Sequence, residues 1–453
     1  MRRSVEHVAV RGADPHTARG APTRLLAIVL SGVLIAVFAL FFSVGRAGAA
    51  APIKGSFQGN AYATYANAKA GPVATSLGRS AFIPCPCNGT GGRTLSNTVD
   101  SVKAPANGRV LSAGVTRSTV YARKGATSAA VHNSSKVAGV SLFKGLIRAD
   151  AIKAVANTSA NTKKITSNAR GSRLVNLRIA GKPVKANVSP NSKVGLPGIG
   201  YVELKHVQKG GNGRQAGRIS VDMLTVVVTR NNKFGLPVGA RIVVAHAASG
   251  FSRTQPRANL GGQAYAAYAK TSSPLLANQV GRAAFVFVGC QGTGGKVKRN
   301  TVSGVGAGKI LSLGAGDTTA YGRQLVSGGV AKTSAKVAGV NLLGGIIRAD
   351  AITAAAQDTY RKGVRTSSTA GSRFANLRVL GLPLPVNVRP NTKISLPGIG
   401  YVVINQQIIP KPTSKARTQV NGLHVYVTTK NLLGIPVGTE IIVAHADTKA
   451  YRF

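Results

Sequence analysis

The chain contains one long internal repeat. Gly59–Ala66, with the sequence GNAYATYA, returns as Gly262–Ala269, with the sequence GQAYAAYA, 203 residues later. The offset is 200 through the middle of the unit and 199 near its end, so only single-residue slips separate the copies. Solenoid repeats run at about 20 to 50 residues, whereas an offset of this size indicates duplicated domains. We therefore predict two copies of one fold, at 52–250 and 258–453, joined by a short linker at 251–257.

Composition and local periodicity predict β-structure in both copies. Trp is absent, aromatic residues make up 5% and there are 55 Gly, which suits short strands joined by tight turns. Apolar and polar residues alternate along Val175–Ile179, and Val221–Thr229 and Ile242–Ala247 are runs rich in β-branched residues. We predict an all-β fold of two tandem β-sandwich or jelly-roll-like domains, preceded by one N-terminal hydrophobic helix. β-Solenoid-like domains are the alternative.

One segment, 137–157, fits two kinds of secondary structure. Its sequence, VAGVSLFKGLIRADAIKAVAN, is compatible with an amphipathic helix and with a long bent strand. Gly139 and Gly145 disfavour a helix interior. We therefore predict a strand here.

The N-terminal segment carries the features of an export signal. A basic stretch ends at Arg24, residues 25–44 are almost wholly apolar, and small residues lead to a candidate cleavage site at Ala49. We interpret 1–49 as a signal peptide or a signal anchor, since about 20 apolar residues can also span a bilayer uncut. Both alternatives place the copies outside the cytoplasm. We expect a secreted or cell-surface protein that touches the membrane only through 25–44, if that segment is uncleaved.

The chain is strongly basic. Its 59 Lys and Arg against 11 Asp and Glu give a formal charge of +48, and the basic residues are spread along the whole length. Such a surface either keeps the protein soluble by self-repulsion or attracts a polyanion. Native nucleic-acid binding is not expected, because the chain is predicted to be exported and contains no recognised nucleic-acid motif.

Three cysteines leave the redox state open. Cys87 and Cys290 occupy equivalent places in the two copies, whereas the counterpart of Cys85 is Val288. No C-x-x-C pair occurs, so we predict no zinc site. Unpaired or partly paired thiols are the favoured interpretation, and a Cys85–Cys87 or Cys87–Cys290 disulfide is the alternative.

Candidate catalytic groups are few, and we predict no catalytic, cofactor or metal site. Glycoside hydrolysis needs two carboxylates, yet only Asp150 and Asp350 are matched between the copies. We expect Asp150 to be structural, paired with an Arg or capping backbone N–H groups. His246 and His445 are the only matched histidines, and a structural histidine at a sheet edge is favoured over a Ser–His246–Asp150 triad, since no nucleophile elbow is present.

Matched tyrosines stand out in a chain with few aromatic residues. They are Tyr62, Tyr65, Tyr201, Tyr265, Tyr268 and Tyr401. Tyr62 and Tyr65 lie three residues apart, so on a regular strand they would face opposite sides. Core packing is the favoured role of the matched tyrosines, and stacking on sugar rings is the alternative.

Four segments, each present twice, carry a family resemblance. They read KVAGVSLFKGLIRADAI, GSRLVNLRIAGKPV, PNSKVGLPGIGYVEL and VDMLTVVVT followed by GARIVVAHA. In these strand-and-turn patterns both copies resemble the choice-of-anchor P family. The resemblance implies a bacterial extracellular protein of unassigned biochemical function whose relatives carry differing C-terminal anchors. Because this chain ends at Phe453 without a sorting signal, we expect its N-terminal segment or its charge to hold it at the cell.

These observations favour a non-enzymatic, envelope-associated protein. We expect it to bind acidic cell-wall or extracellular polymers through distributed Lys and Arg contacts. A carbohydrate-active enzyme or lectin-like module with a pocket in one copy is one alternative. A structural surface protein without a ligand is the other.

Overall fold

Alternation of buried and exposed residues runs along most of the chain, as a two-residue period requires in a strand with one face on a core. The computed structural model describes residues 53–67, 79–99, 102–104, 108–270, 282–302, 305–307 and 310–453. These residues form antiparallel sheets, and the part of the chain described contains no α-helix. The all-β prediction is therefore confirmed.

The predicted N-terminal helix over 25–44, the signal segment 1–49 and the cleavage candidate Ala49 all lie outside the described residues. Within the described ranges, no helix has the length and apolar character needed to cross a membrane.

The first copy contributes sixteen of the described strands. In chain order they are β1 Ser56–Asn67, β2 Ile83–Pro84, β3 Leu95–Val99, β4 Val102–Ala104, β5 Leu111–Ala113, β6 Thr116–Lys124, β7 Ser128–Leu142, β8 Ile147–Asn161, β9 Ile165–Asn168, β10 Arg173–Val175, β11 Arg178–Ile179, β12 Lys182–Pro183, β13 Ser192–Leu196, β14 Gly200–Gly210, β15 Ala216–Val228 and β16 Arg241–Ser252.

The second copy contributes the same number of described strands and one 3₁₀ turn at Leu343–Gly345. The strands are β17 Ala258–Lys270, β18 Val286–Val288, β19 Lys298–Val302, β20 Val305–Ala307, β21 Leu311–Leu313, β22 Ala315–Leu325, β23 Gly328–Leu342, β24 Ile347–Arg361, β25 Val364–Ser368, β26 Arg373–Ala375, β27 Arg378–Val379, β28 Leu382–Pro383, β29 Thr392–Leu396, β30 Gly400–Ile408, β31 Thr418–Val427 and β32 Glu440–Arg452.

Each copy builds one six-stranded and one ten-stranded sheet from its own strands. In the first copy the six-stranded sheet has the order β13-β14-β15-β16-β1-β2, so the first strand pairs with the last. The ten-stranded sheet has β7 and β8 at its centre, with β6 and β3 beyond β7 and β10 paired to β8. The second copy repeats this arrangement, with β23 and β24 at the centre and β17 beside β32. Among the described strands no sheet closes on itself.

The two sheets of a copy face each other across a core of aliphatic side chains. β16 packs across β7 and β8, and β32 packs across β23 and β24. In the first copy the core contains Val226 and Val244 from the six-stranded sheet, with Ile147 and Ile152 from the ten-stranded sheet. Because these apolar side chains point inward, alternate residues on the ten-stranded sheet point outward.

The ambiguous segment 137–157 is extended, as predicted, but it is a hairpin and not one long bent strand. β7 ends at Leu142 and β8 begins at Ile147. Phe143, Lys144 and Gly145 all have positive φ, at 55°, 56° and 90°, which reverses the chain within one short turn.

The connection between the copies is shorter than predicted. β16 continues to Ser252 and β17 begins at Ala258, so the linker spans 253–257, and 251–252 belong to a strand. Ser252 stays in the sheet because it lies opposite Ser56 on one side and Ala216 on the other.

Candidate functional site

Four cationic side chains lie side by side across four adjacent strands of the first copy. Arg117 on β6 is opposite Lys136 on β7, Lys136 is opposite Lys153 on β8, and Lys153 is opposite Arg173 on β10. Arg117, Lys136 and Arg173 are exposed, and Lys153 is half-buried. We call these four residues the cationic row.

The cationic row is electrostatically unfavourable as it stands. Directly opposite residues in an antiparallel pair have Cβ atoms about 4.5 to 5.5 Å apart, and like charges there destabilise the sheet. Within the described residues none of the four forms an ion pair with a carboxylate. An anion bound along the row would therefore relieve repulsion between all neighbouring members at once.

The second copy has a different set of residues at the same four positions. They are Asp317, Lys336, Thr353 and Arg373, again directly opposite one another. Asp317 also forms an ion pair with Arg299, with 2.5 Å between Oδ2 and Nη2. Four positive charges in the first copy thus correspond to two positive charges and one negative charge here. The row is a property of the first copy alone.

A shallow groove lies beside the cationic row on the same outer face. It has a volume of about 520 Å³, and Lys153 is one of the residues that line it. The rings of Tyr121 and His132 lie 5.6 Å apart in it, and His132 Nδ1 lies 3.0 Å from Asn157 Oδ1. Hydroxyl, amide and imidazole groups therefore border the charged surface.

Asp150 and Asp350 are held by asparagines. Asn176 Nδ2 donates to Asp150 Oδ2 at 2.6 Å, and Asn376 Nδ2 donates to Asp350 Oδ2 at 2.6 Å. The predicted pairing with Arg or with backbone N–H groups is wrong. The reason is local, since Asn176 has a φ of 50°, which asparagine tolerates and which turns its amide toward the carboxylate.

His246 lies inside a sheet and not at its edge, which corrects the predicted position. It is on β16, between β15 and β1. His246 Nδ1 lies 2.5 Å from Asp222 Oδ1, and its ring stacks on Tyr62 with 4.2 Å between centroids. Asp150 lies in the other sheet, and the only described hydrogen bond of the His246 side chain is to Asp222. The described groups therefore do not assemble the triad Ser–His246–Asp150.

His445 has the equivalent place in the second copy with different partners. Its ring stacks on Tyr265 at 4.3 Å, Nδ1 lies 2.6 Å from Asn421 Oδ1, and Nε2 lies 3.0 Å from Asp447 Oδ2. Burial lowers the pKa of His445. Burial alone would raise the pKa of Asp447, but Arg417 and His445 outweigh it and hold that pKa at about 2.

Tyr62 and Tyr65 face the same side of β1, contrary to the prediction. Their rings are 6.0 Å apart in an edge-on arrangement. Their partners on β16 are His246 and Val243, with Ala245 between them at a φ of 60°. The strict alternation of a regular strand is therefore not kept between these two tyrosines, although β1 has the same register with β16 at both.

Tyr201 and Tyr401 are half-buried and each is covered by a lysine. Lys193 Nζ lies 5.1 Å from the centroid of the Tyr201 ring, and Lys393 Nζ lies 4.0 Å from that of Tyr401. Tyr401 also stacks on Tyr426 at 4.7 Å. Both lysine contacts are cation–π interactions.

Equivalent residues of the two copies meet at a seam. Cys87 and Cys290 form a disulfide with 5.8 Å between their Cα atoms, and the rings of Phe82 and Phe285 lie 4.8 Å apart. The alternative predicted bridge between Cys87 and Cys290 is therefore present, and Cys85 is free and buried. Burial raises the pKa of the Cys85 thiol to about 12, which favours the thiol over the more reactive thiolate. Contact between like residues resembles the self-complementary interface of a two-fold dimer.

Within the described residues, no group of three or more His, Cys, Asp or Glu side chains could hold a metal ion. No protein-family model matches the chain, and no curated protein matches it. The resemblance to the choice-of-anchor P family stays a prediction.

Proposed function

We propose that this is an extracellular, non-enzymatic, envelope-associated protein that binds acidic cell-wall or matrix polymers. In this proposal each copy is a β-sandwich domain, and the cationic row of the first copy is the main contact. The observation that carries it is the placement of Arg117, Lys136, Lys153 and Arg173 directly opposite one another without a described carboxylate partner.

A linear polyanion suits the row better than a small anion. Neighbouring strands lie about 4.8 Å apart, so the row presents charges at a regular interval over four strands. A small anion would contact one or two of these side chains and leave the remaining repulsion in place. A polymer lying across the strands meets all four, and its hydroxyl groups reach the groove beside Lys153.

The surroundings support the extracellular part of the proposal. The Cys87–Cys290 disulfide is typical of an oxidising compartment. The carboxylates of the described residues already have partners inside the chain, as in Asp222 with His246 and Asp358 with Arg365, so the positive surface is left to external anions.

Replacing Lys136 and Lys153 together by Gln should weaken polymer binding by at least about tenfold at low salt, because both removed charges contact the polyanion. The slope of log K against log salt concentration should fall by about 2, one for each lost contact. Isothermal titration of the full chain with polygalacturonate and with polyphosphate measures both quantities.

The matched control is the double variant Lys336→Gln and Arg373→Gln, which removes both positive charges from the equivalent four positions of the second copy. It should change the affinity less than twofold. In urea titrations at low salt, the first variant should also be more stable than the parent by about 0.5 kcal/mol, because it removes like-charge repulsion. Equal losses of affinity in both variants would mean that the row has no special role.

A further inference from the structure

A second candidate site lies at the seam between the copies, beside the Cys87–Cys290 disulfide. It is a groove of about 540 Å³, within the size range of small-molecule sites. Strands β1 and β17 and the loops that carry the two cysteines form its walls, and the end of β32 contributes Lys449 and Tyr451. The groove is distinct from the cationic row, which lies on the outer face of the ten-stranded sheet.

Lys449 brings an unpaired positive charge into this groove. Arg417 forms an ion pair with the buried Asp447, whose second oxygen accepts a hydrogen bond from His445 Nε2. Lys449 has no hydrogen bond or ion pair with a described residue, because both oxygens of Asp447 already have partners in Arg417 and His445. Burial, followed by the nearby Arg417, lowers the pKa of Lys449 to about 8. An anionic group beside the Lys449 ammonium would favour its charged form.

The packing around Lys449 places its side chain in the groove wall. A Cβ atom at Gly261 would come within 2.7 Å of Lys449 Cε, so glycine leaves the space that the lysine stem occupies. The Lys449 Nζ atom lies 5.3 Å from the centroid of the Tyr451 ring. A cation and a half-buried aromatic face therefore stand next to each other.

The opposite wall offers hydrogen-bonding groups from the first copy. Asn60 Oδ1 is buried and accepts no hydrogen bond from any described residue. Gln58 Nε2 donates to Gln291 Oε1 at 2.8 Å across the seam. A buried acceptor without a donor is unfavourable, so a hydroxyl group of a ligand would satisfy Asn60.

The charged wall exists only on the side of the second copy. The residues of the first copy equivalent to Asp447 and Lys449 are Ala248 and Gly250. Equivalent residues of the two copies meet at Cys87 and Cys290. The charged residues that line the groove nevertheless differ between the two copies. The difference is therefore a local addition to the second copy and not a consequence of the duplication.

We infer that the groove binds one acidic sugar unit, with its carboxylate or phosphate at Lys449, a hydroxyl group at Asn60 and a ring face against Tyr451. The anionic group would pair with Lys449, the described cation of the groove that has no ion-pair partner. Amide side chains around it suit sugar hydroxyls, and an aromatic face suits the apolar face of a pyranose ring. This inference stands independently of polymer binding by the cationic row.

Isothermal titration of the full chain with four probes tests the inference. We expect saturable binding of galacturonate or glucose 6-phosphate, which distinguishes the carboxylate source from the phosphate source, and much weaker binding of galactose and of inorganic phosphate. Lys449→Gln should lower the affinity for the acidic sugar at least about tenfold, as loss of one charge-assisted contact does. The control Lys411→Gln removes an exposed lysine elsewhere and should change nothing.

The number of protons taken up on binding distinguishes a lysine that contacts the ligand from one that is only structural. A structural lysine would not change this number. At pH 8.5 Lys449 is mostly neutral, and a bound anion favours its charged form, so binding should take up protons. Titrations in two buffers of different ionisation enthalpy measure this uptake, which Lys449→Gln should abolish. A second variant, Tyr451→Leu, should lower the affinity for the acidic sugar but keep the proton uptake on binding.

The outcomes separate the two sites. The Lys136 and Lys153 double variant should keep acidic-sugar binding, and Lys449→Gln should keep salt-sensitive polymer binding. Absence of saturable binding by both acidic sugars overturns the inference. Unchanged affinity in Lys449→Gln, or inorganic phosphate binding as tightly as the sugars, overturns it as well.

Discussion

Replacing Arg365 by Ile should destabilise the protein by about 3 to 5 kcal/mol, the usual effect of removing one partner of a buried ion pair. Arg365 and Asp358 are both almost fully buried, with side-chain exposures of 1% and 0%. Arg365 Nε and Nη2 donate to the two oxygens of Asp358 at 3.0 and 2.9 Å. Without the guanidinium, the carboxylate is left buried without a counter-charge.

Hydrogen bonds complete this ion pair on both sides. Arg365 Nη1 donates to the backbone oxygens of Ser414 and Ala416 at 2.8 Å. Thr418 Oγ1 and Thr448 Oγ1 each donate to Asp358 at 2.9 Å. Loss of the Arg365 side chain therefore affects β24 and β25, and also β31 and β32 of the six-stranded sheet.

The first copy supplies the matched control. Its equivalent residues are Thr158 and Ile165, and Thr158 Oγ1 lies 2.8 Å from Ser249 Oγ where Asp358 contacts Thr448. The double variant Asp358→Thr and Arg365→Ile should be about as stable as the parent or more so, because a buried ion pair is often replaceable by neutral residues. Urea unfolding followed by circular dichroism measures both variants. If the single and double variants lose equal stability, the buried charge is not the cause.

Removing the Cys87–Cys290 disulfide should have an effect of similar size. The bond joins residues 203 apart, and closing so long a loop restricts the unfolded chain by about 5 kcal/mol in the chain-entropy model. The double variant Cys87→Ser and Cys290→Ser should therefore unfold at markedly lower urea. Before unfolding begins, the circular dichroism signal of this variant should match that of the parent, because each copy has its own hydrophobic core.

Cys85→Val provides the control for the disulfide variant. Val is the residue at the equivalent position of the second copy, Val288, and the bridge stays intact. Its stability should change by less than about 1 kcal/mol, as expected for a volume-conserving apolar exchange. Adding reductant should lower the stability of Cys85→Val and leave the serine double variant unchanged. Any other pattern would show that the bridge does not set the stability.

Local patterns were sufficient to predict the strands. The runs at Val221–Thr229 and Ile242–Ala247 correspond to β15 and β16, since alternation and β-branching are properties of neighbouring residues. Interruptions of that alternation were not predictable. Ala245 adopts a φ of 60° inside β16, and no residue pattern there marks it. The shared face of Tyr62 and Tyr65, on the strand that pairs with β16, was likewise not visible in the residue pattern.

The candidate sites depended on contacts between distant parts of the chain. Lys136 and Lys153 belong to one hairpin, but Arg117 and Arg173 join the row only through the pairing of further strands. Each of these residues alone looks like an ordinary exposed cation, so the sequence contains no signal for the row. The same holds for Lys449, whose unpaired state depends on Asp447 pairing with Arg417.

The sequence by itself determined the duplication, the β-structure and the excess of positive charge, because repeats, two-residue periodicity and composition are visible in neighbouring or aligned residues. Only the tertiary structure decided where the charges meet and which thiols pair. Strand register and the seam between the copies set those distances, and register is a non-local property in which a shift of one residue moves every side chain to the other face.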